Sequence, residues 1–298
     1  MSVTEQSLVL ADGRTVELTV AGDPDRPAVV FHHGTPGVAE RYAPLVDAVT
    51  ARGLRWIART RPGYAGSTRR PGRTVADDAG DTAEVLDALG VQRFVAMGWS
   101  GGGPHALACG ALLAERCAGV VGIAGVAPFD GVDRDGLDFL AGMGPENIEE
   151  FGAAVEGEPA LRPMLERFGD GLREVTGEQL GEAFGGLVDL PDLAVLRGGF
   201  GDDMAAQMRR ALSTGVDGWL DDDLAFVSPW GFGLDRVQVP VAWWQGSEDR
   251  MVPFAHGRWL AARLPDVEAR LLPGEGHLSL AVGRFDDIAD DASRLVAA

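Results

Sequence analysis

Phe94-Val95-Ala96-Met97-Gly98-Trp99-Ser100-Gly101-Gly102-Gly103-Pro104-His105 is the stretch on which the reading of this chain turns. The apolar run 94–97 has the length and composition of a buried strand, and residues 105–115, rich in alanine and leucine, suit a helix. Pro104 fits the first turn of that helix, where amides have no intrahelical partner. Between strand and helix, residues 98–102 have the form G-x-S-x-G. A turn this sharp forces its central residue into a strained backbone conformation and presents that side chain outward. Small residues are needed two positions before and two after, and Gly98 and Gly102 supply them. Gly101 would offer its amide at the helix N-terminus, where developing negative charge is favoured. The plainer reading is a glycine-rich βα turn for packing or phosphate binding. The strand before and the helix after favour a nucleophilic serine.

On either side the chain keeps a strand–helix rhythm. Residues 7–10 and 15–20 flank a turn-rich junction and read as an antiparallel hairpin. Residues 28–31, 54–58, 120–127, 239–244 and 267–272 are further strand candidates. Helices are expected over 40–52, from Thr74 to Gly90, from about 253 to 263, and from about 284. About eight strands, mostly parallel and covered by helices on both faces, make an α/β architecture. From about 130 to 230 the rhythm stops. Helices are plausible within 159–168, 178–187 and 202–212, and no strand is convincing. The expected organisation is a core of residues 1–129 and 231–298 with a helical insertion at 130–230.

A serine nucleophile needs a base, and the base needs an orienting acid. His277 lies in Gly274-Glu275-Gly276-His277-Leu278-Ser279, a turn-rich segment after the last strand candidate. His32 and His33 end an early strand and suit support of the next loop; His105 and His256 suit structural or surface roles. Asp249 follows the strand at 239–244 and completes the chain order Ser, Asp, His. Asp130, after the strand at 120–127, is its rival. Glu248 should point elsewhere, and Asp221-Asp222-Asp223 read best as a solvated face. His33-Gly34-Thr35-Pro36-Gly37 is a second informative motif. An oxyanion hole needs two converging N–H donors; Thr35 has an amide to give beside that of Gly101, whereas Pro36 has none. A plain Pro-Gly turn also satisfies that stretch.

Taken with Arg61-Pro62-Gly63-Tyr64-Ala65-Gly66-Ser67, Gly246-Ser247-Glu248-Asp249 with Val252-Pro253, and Gly276-His277, these motifs resemble the α/β-hydrolase superfamily from Ala28 to the C-terminus. The turn near Arg61 departs from the frequent Asp-x-Arg-Gly-x-Gly form, with Arg59 where Asp is common and Pro62 where Arg is common. The resemblance implies a helical cap after the sixth strand and a Ser100–His277–Asp249 triad. A serine nucleophile argues against the dehalogenase and epoxide-hydrolase branches, which the resemblance associates with aspartate. Hydrolysis of a small or medium carboxylic ester is the first expectation, with no metal or organic cofactor. His-Gly-x-Pro-Gly is similar to a proline-iminopeptidase branch, which would need cap carboxylates for a free amino terminus. Glu146, Glu149, Glu150, Glu156 and Glu158 are available, though an acidic surface explains them equally. Phe129, Phe139, Met143, Phe151, Phe168, Phe184 and Phe200 are candidates to line an apolar pocket or to pack cap on core. Another class, a barely catalytic small-ligand receptor on the same fold, would bind saturably with little turnover.

Composition narrows the partners. The net charge is -19 over 298 residues, and all 26 basic residues are arginine. Such a surface repels phosphate backbones, which disfavours nucleic acid. Cys109 and Cys117 have no metal-ligand or CxxC spacing and suit small buried hydrophobes. No signal-peptide pattern and no membrane-spanning apolar run is visible, so a cytoplasmic protein without membrane partners is the default expectation.

Overall fold

A computed structural model describes residues 3–39, 42–129 and 136–297. One eight-stranded sheet organises the chain in the order β1-β2-β4-β3-β5-β6-β7-β8. β1 (Thr4–Val9) and β2 (Thr15–Ala21) form the expected antiparallel hairpin, and β2 joins β4 (Arg55–Arg59) antiparallel. β3 (Ala28–His32), β5 (Phe94–Trp99), β6 (Cys117–Ile123), β7 (Val241–Gly246) and β8 (Val267–Leu272) continue the sheet in parallel.

α1 (Ala43–Ala51), α2 (Asp77–Ala88) and α3 (Gly102–Leu112) connect strands in the first half. α1 begins just past two residues of the expected helix that lie outside the described ones. α2 starts later than the sequence suggested, at Asp77, although Thr74 exchanges with Asp77 the reciprocal side-chain and backbone bonds of an N-cap. Among the described residues six α-helices separate β6 from β7: α4 (Pro145–Glu156), α5 (Glu158–Leu172), α6 (Leu180–Ala183), α7 (Leu190–Val195), α8 (Gly199–Ala211) and α9 (Asp217–Phe226). α10 (Phe254–Ala261), α11 (His277–Gly283) and α12 (Phe285–Ala297) complete the second half.

Successive strand residues point to opposite faces, so the buried sheet feeds two cores. Val29, Phe31, Trp56, Val95 and Met97 pack with α1 and α12, while Val30, Ile57, Phe94 and Ala96 pack with α2 and α3. Burial on both faces explains why these strands read as continuous apolar runs. Cys109 and Cys117 are free and buried, in keeping with their reading as small hydrophobes. Among the described residues no helix is long and apolar enough to cross a membrane. The carboxyl ends of β3, β5 and β7 and the segment after β8 converge on one edge, the usual place for a site in such sheets.

Candidate active site

Ser100 sits at the junction of β5 and α3 with φ of 56°, in the left-handed region that a residue with a Cβ rarely adopts. Its amide bonds the carbonyl of Ile123 at 2.8 Å, and its carbonyl accepts from Gly103 at 2.8 Å, which holds the turn from both sides. A side chain at Gly98 would collide with the Gly102 carbonyl, and one at Gly102 with the His32 carbonyl. These contacts give the steric reason for glycine at both places.

His277 opens α11 rather than lying in a loop, and its Nδ1 is 2.9 Å from Asp249 Oδ2. Asp249 is buried; its Oδ1 accepts from the amides of Met251 (2.9 Å) and Val252 (2.8 Å), and Gln245 Nε2 donates to Oδ2 at 3.0 Å. That arrangement directs one carboxylate oxygen at the imidazole. Burial disfavours the His277 imidazolium, but the Asp249 charge and hydrogen bond, helped by Asp192, raise its pKa above the ordinary value. Glu248 is exposed and bonded by Ser247, as expected. Asp130, the rival acid, lies outside the described residues.

Ser100 and His277 line one cavity of about 200 Å³, together with Thr35 and Gly101. Gly34 adjoins the nucleophile: a Cβ placed there would stand 3.4 Å from Ser100 Cβ and 3.9 Å from its Oγ. Phe151, Phe168 and Phe184 line the cavity with Trp219 and Phe226, so three of the predicted apolar candidates reach it. Phe139 instead packs edge-on against His256, and Phe200 against Trp99 and Tyr42. Phe129 rests on Phe139, and Met143 belongs to the same packed cluster. Glu146 and Glu150 also face the cavity, whereas Glu149 pairs with Arg167 and Glu158 with Arg162 outside it.

The acidic run on α9 is where sequence reasoning failed. Asp221, Asp222 and Asp223 are 3%, 0% and 1% exposed, the opposite of a solvated face. Asp221 pairs with Arg69. Asp222 accepts from Arg61 Nη2 (2.7 Å), Arg73 Nη2 (2.6 Å), Tyr64 Oη (2.8 Å) and Thr35 Oγ1 (2.8 Å). Burial opposes its charge, but Arg61 and Arg73 outweigh burial and hold the carboxyl far below the usual range. Arg61 also donates to the carbonyls of His33 and Gly34, tying the Thr35 loop to α9. The arginine-rich segment 59–73 was the one signal that buried acids would be needed. Asp223 lies beside Glu150, which accepts from Trp219 Nε1 at 2.7 Å. Burial first, and then the neighbouring Glu150 charge, push the Asp223 carboxyl well up.

His256 and His105 are both buried, in keeping with the structural role that was one of the two expected for them. His256 accepts the Ala127 amide at 3.2 Å and bonds the Phe139 carbonyl at 2.9 Å, and its pKa is pushed down to about 4 by burial. His105 is wholly buried behind the nucleophile near Asp78 and Asp222.

A family profile described as alpha/beta hydrolase fold matches residues 27–157. The chain has the α/β-hydrolase fold. It is 31% identical to epoxide hydrolase B of Mycobacterium tuberculosis over 130 residues, 42% of this chain and 36% of that protein. That match therefore spans about a third of the relative's length. Over 85% of this chain and 92% of the other, it is 27% identical to the pimeloyl-[acyl-carrier protein] methyl ester esterase of Aromatoleum aromaticum. Among solved structures, a hydrolase from Pseudomonas aeruginosa superposes with a TM-score of 0.71 at 20% identity, covering 99% of both chains.

Proposed function

We propose that this protein is a serine hydrolase that cleaves a small or medium carboxylic ester through an acyl-enzyme on Ser100. The observation that carries the reading is the shared cavity, with Ser100 at a strained turn and His277 bonded to buried Asp249. His277 takes the serine proton as Oγ attacks the acyl carbon and later gives it to the leaving alcohol. Asp249 holds the imidazole and stabilises its charged form. The amides of Thr35 and Gly101 receive the oxyanion; each such donor is worth roughly 3 kcal/mol in the transition state. Water activated by His277 then releases the acid and restores Ser100. The six helices between β6 and β7 act as a cap, residues 130–230 on the core 1–129 and 231–298, and supply the cavity's acyl-facing aromatics. A serine at the turn and a relative named as an esterase matched over most of both chains support ester chemistry over epoxide opening. The protein works without a metal or organic cofactor, as a cytoplasmic enzyme on a small molecule.

Fluorophosphonate labelling tests the nucleophile. The adduct is expected on Ser100 alone and absent from Ser100→Ala; no labelling of folded protein would favour the ligand-receptor reading. A second reading, aminopeptidase action of the proline-iminopeptidase kind, is favoured by one observation: Asp223 and Glu150 face the cavity, and among the described residues no arginine lines it. Two adjacent buried carboxyls share a proton until a cation arrives. The expected result is faster turnover of p-nitrophenyl esters than of prolyl-naphthylamide. The reverse order, with selective loss of amide cleavage in Asp223→Asn, would establish the second reading.

A further inference from the structure

His277 is anchored twice, and only one anchor belongs to the sheet. Its imidazole is held by Asp249 from the segment after β7, but its backbone is held by the insertion. Asp192 of α7, wholly buried, accepts the His277 amide on Oδ2 at 2.9 Å. Its Oδ1 accepts the amides of Leu278 at 2.9 Å and Ser279 at 2.8 Å. Gly276 makes this approach possible, since a Cβ there would collide with the Asp192 carboxyl group. Burial raises the Asp192 pKa above the ordinary carboxylate value, while these three N–H donors and the nearby His277 favour its ionised form. α7 itself is started by Asp189, whose side chain accepts the Leu190 amide at 2.7 Å.

We propose that Asp192 is a positioning residue for His277, fixing its backbone from the helical insertion and setting a second negative charge beside its imidazole. The insertion is then part of the catalytic apparatus and not only a roof. This rests on the reading of His277 as the general base. Asp249 and Asp192 are the charged groups acting on the imidazole; Trp99 of β5 stacks on it at 6.2 Å, and Ser100 shares its cavity. Both carboxylates favour the protonated ring, so loss of one lowers the pH at which His277 becomes a base. Displacing a base by about an ångström costs on the order of a hundredfold in rate without weakening substrate binding.

The test compares the full-length protein with Asp192→Asn, which keeps the side chain's shape. An amide can keep Leu278 and Ser279 on its oxygen, but it turns an N–H toward the N–H of His277. With p-nitrophenyl acetate, kcat is expected to fall about ten- to a hundredfold, with KM within twofold of wild type. The acid limb of the kcat/KM profile moves to lower pH. A lowered melting temperature with kcat and the acid limb unchanged would overturn the proposal, since Asp192 would then be structural only. Titration of the His277 imidazole by NMR separates this from the hydrolase reading. If the wild type turns over no ester, that reading fails, yet a lower His277 pKa in Asp192→Asn still supports positioning, and an equal pKa refutes it. Should the variant not fold, amide exchange in the wild type decides. Protection of His277, Leu278 and Ser279 comparable to that of β7 supports the anchor, and exchange at loop rates removes it.

Discussion

Alanine at His277 is expected to lower kcat for ester hydrolysis by roughly a million-fold while leaving KM and the fold nearly unchanged. The reason is geometric. Ser100 has a hydroxyl whose proton must leave as Oγ attacks, and His277, the base proposed above, shares its cavity. The backbone amide that alanine retains can still bond Asp192, so α11 keeps its place on the insertion. Asp249→Asn is expected to be milder, about ten thousand-fold, because serine and histidine remain but the imidazole tautomer is no longer fixed. Asparagine can still accept the amides of Met251 and Val252 on its oxygen, which then turns its NH2 toward Nδ1. Stopped assays with p-nitrophenyl butyrate, paired with circular dichroism, measure both variants. A loss below tenfold in His277→Ala would remove His277 as the base.

The largest effect on stability is expected at Asp222. Its carboxylate is the shared partner of Arg61 and Arg73, 0% and 6% exposed, with Tyr64 and Thr35 as further donors. Asp222→Ala strands two buried guanidinium groups, and breaking a buried pair in this way costs about 3–5 kcal/mol. Folded domains hold only about 5–15 kcal/mol in all, so the variant should unfold at markedly lower urea. A midpoint within experimental error of wild type would mean that Arg61 and Arg73 are rehydrated without cost. The pH sign follows from the direction of the shift. The folded Asp222 pKa lies far below its unfolded value, near 4. Its stabilisation is therefore complete above about pH 4 and declines as pH falls from there toward the folded value. Asp223 acts oppositely: its raised pKa means that ionisation opposes folding as pH rises from the unfolded value toward the folded one.

Much of the framework was legible in residue order. G-x-S-x-G between an apolar strand and an alanine-rich helix located Ser100, because a strand-to-helix turn that tight admits only glycine at 98 and 102. The strands were legible because burial on both faces writes itself as unbroken apolar runs. Asp249 and His277 were nominated from their places after strands, where the sheet edge collects its loops, and the structure brings the two side chains within 2.9 Å. The helices α4, α7, α9 and α11 were missed. Segments that are short, or rich in acid and glycine, carry no clear apolar stripe, and packing supplies the stability that their own periodicity does not advertise.

Sequence alone determined the α/β class and most of the sheet's strands, and it nominated three residues in the chain order serine, aspartate, histidine. Only the tertiary structure decided the fate of the charged residues of the insertion. Asp221-Asp222-Asp223 look like a solvated run, and they become buried because arginines far earlier in the chain fold against them. Asp192 looks like an ordinary acid in a short helix, yet it holds the backbone of His277 across 85 positions of sequence. Local pattern reports which face of a segment is apolar. It cannot report which distant cation or amide makes the burial of a charge affordable, because that partner exists only once the chain has folded.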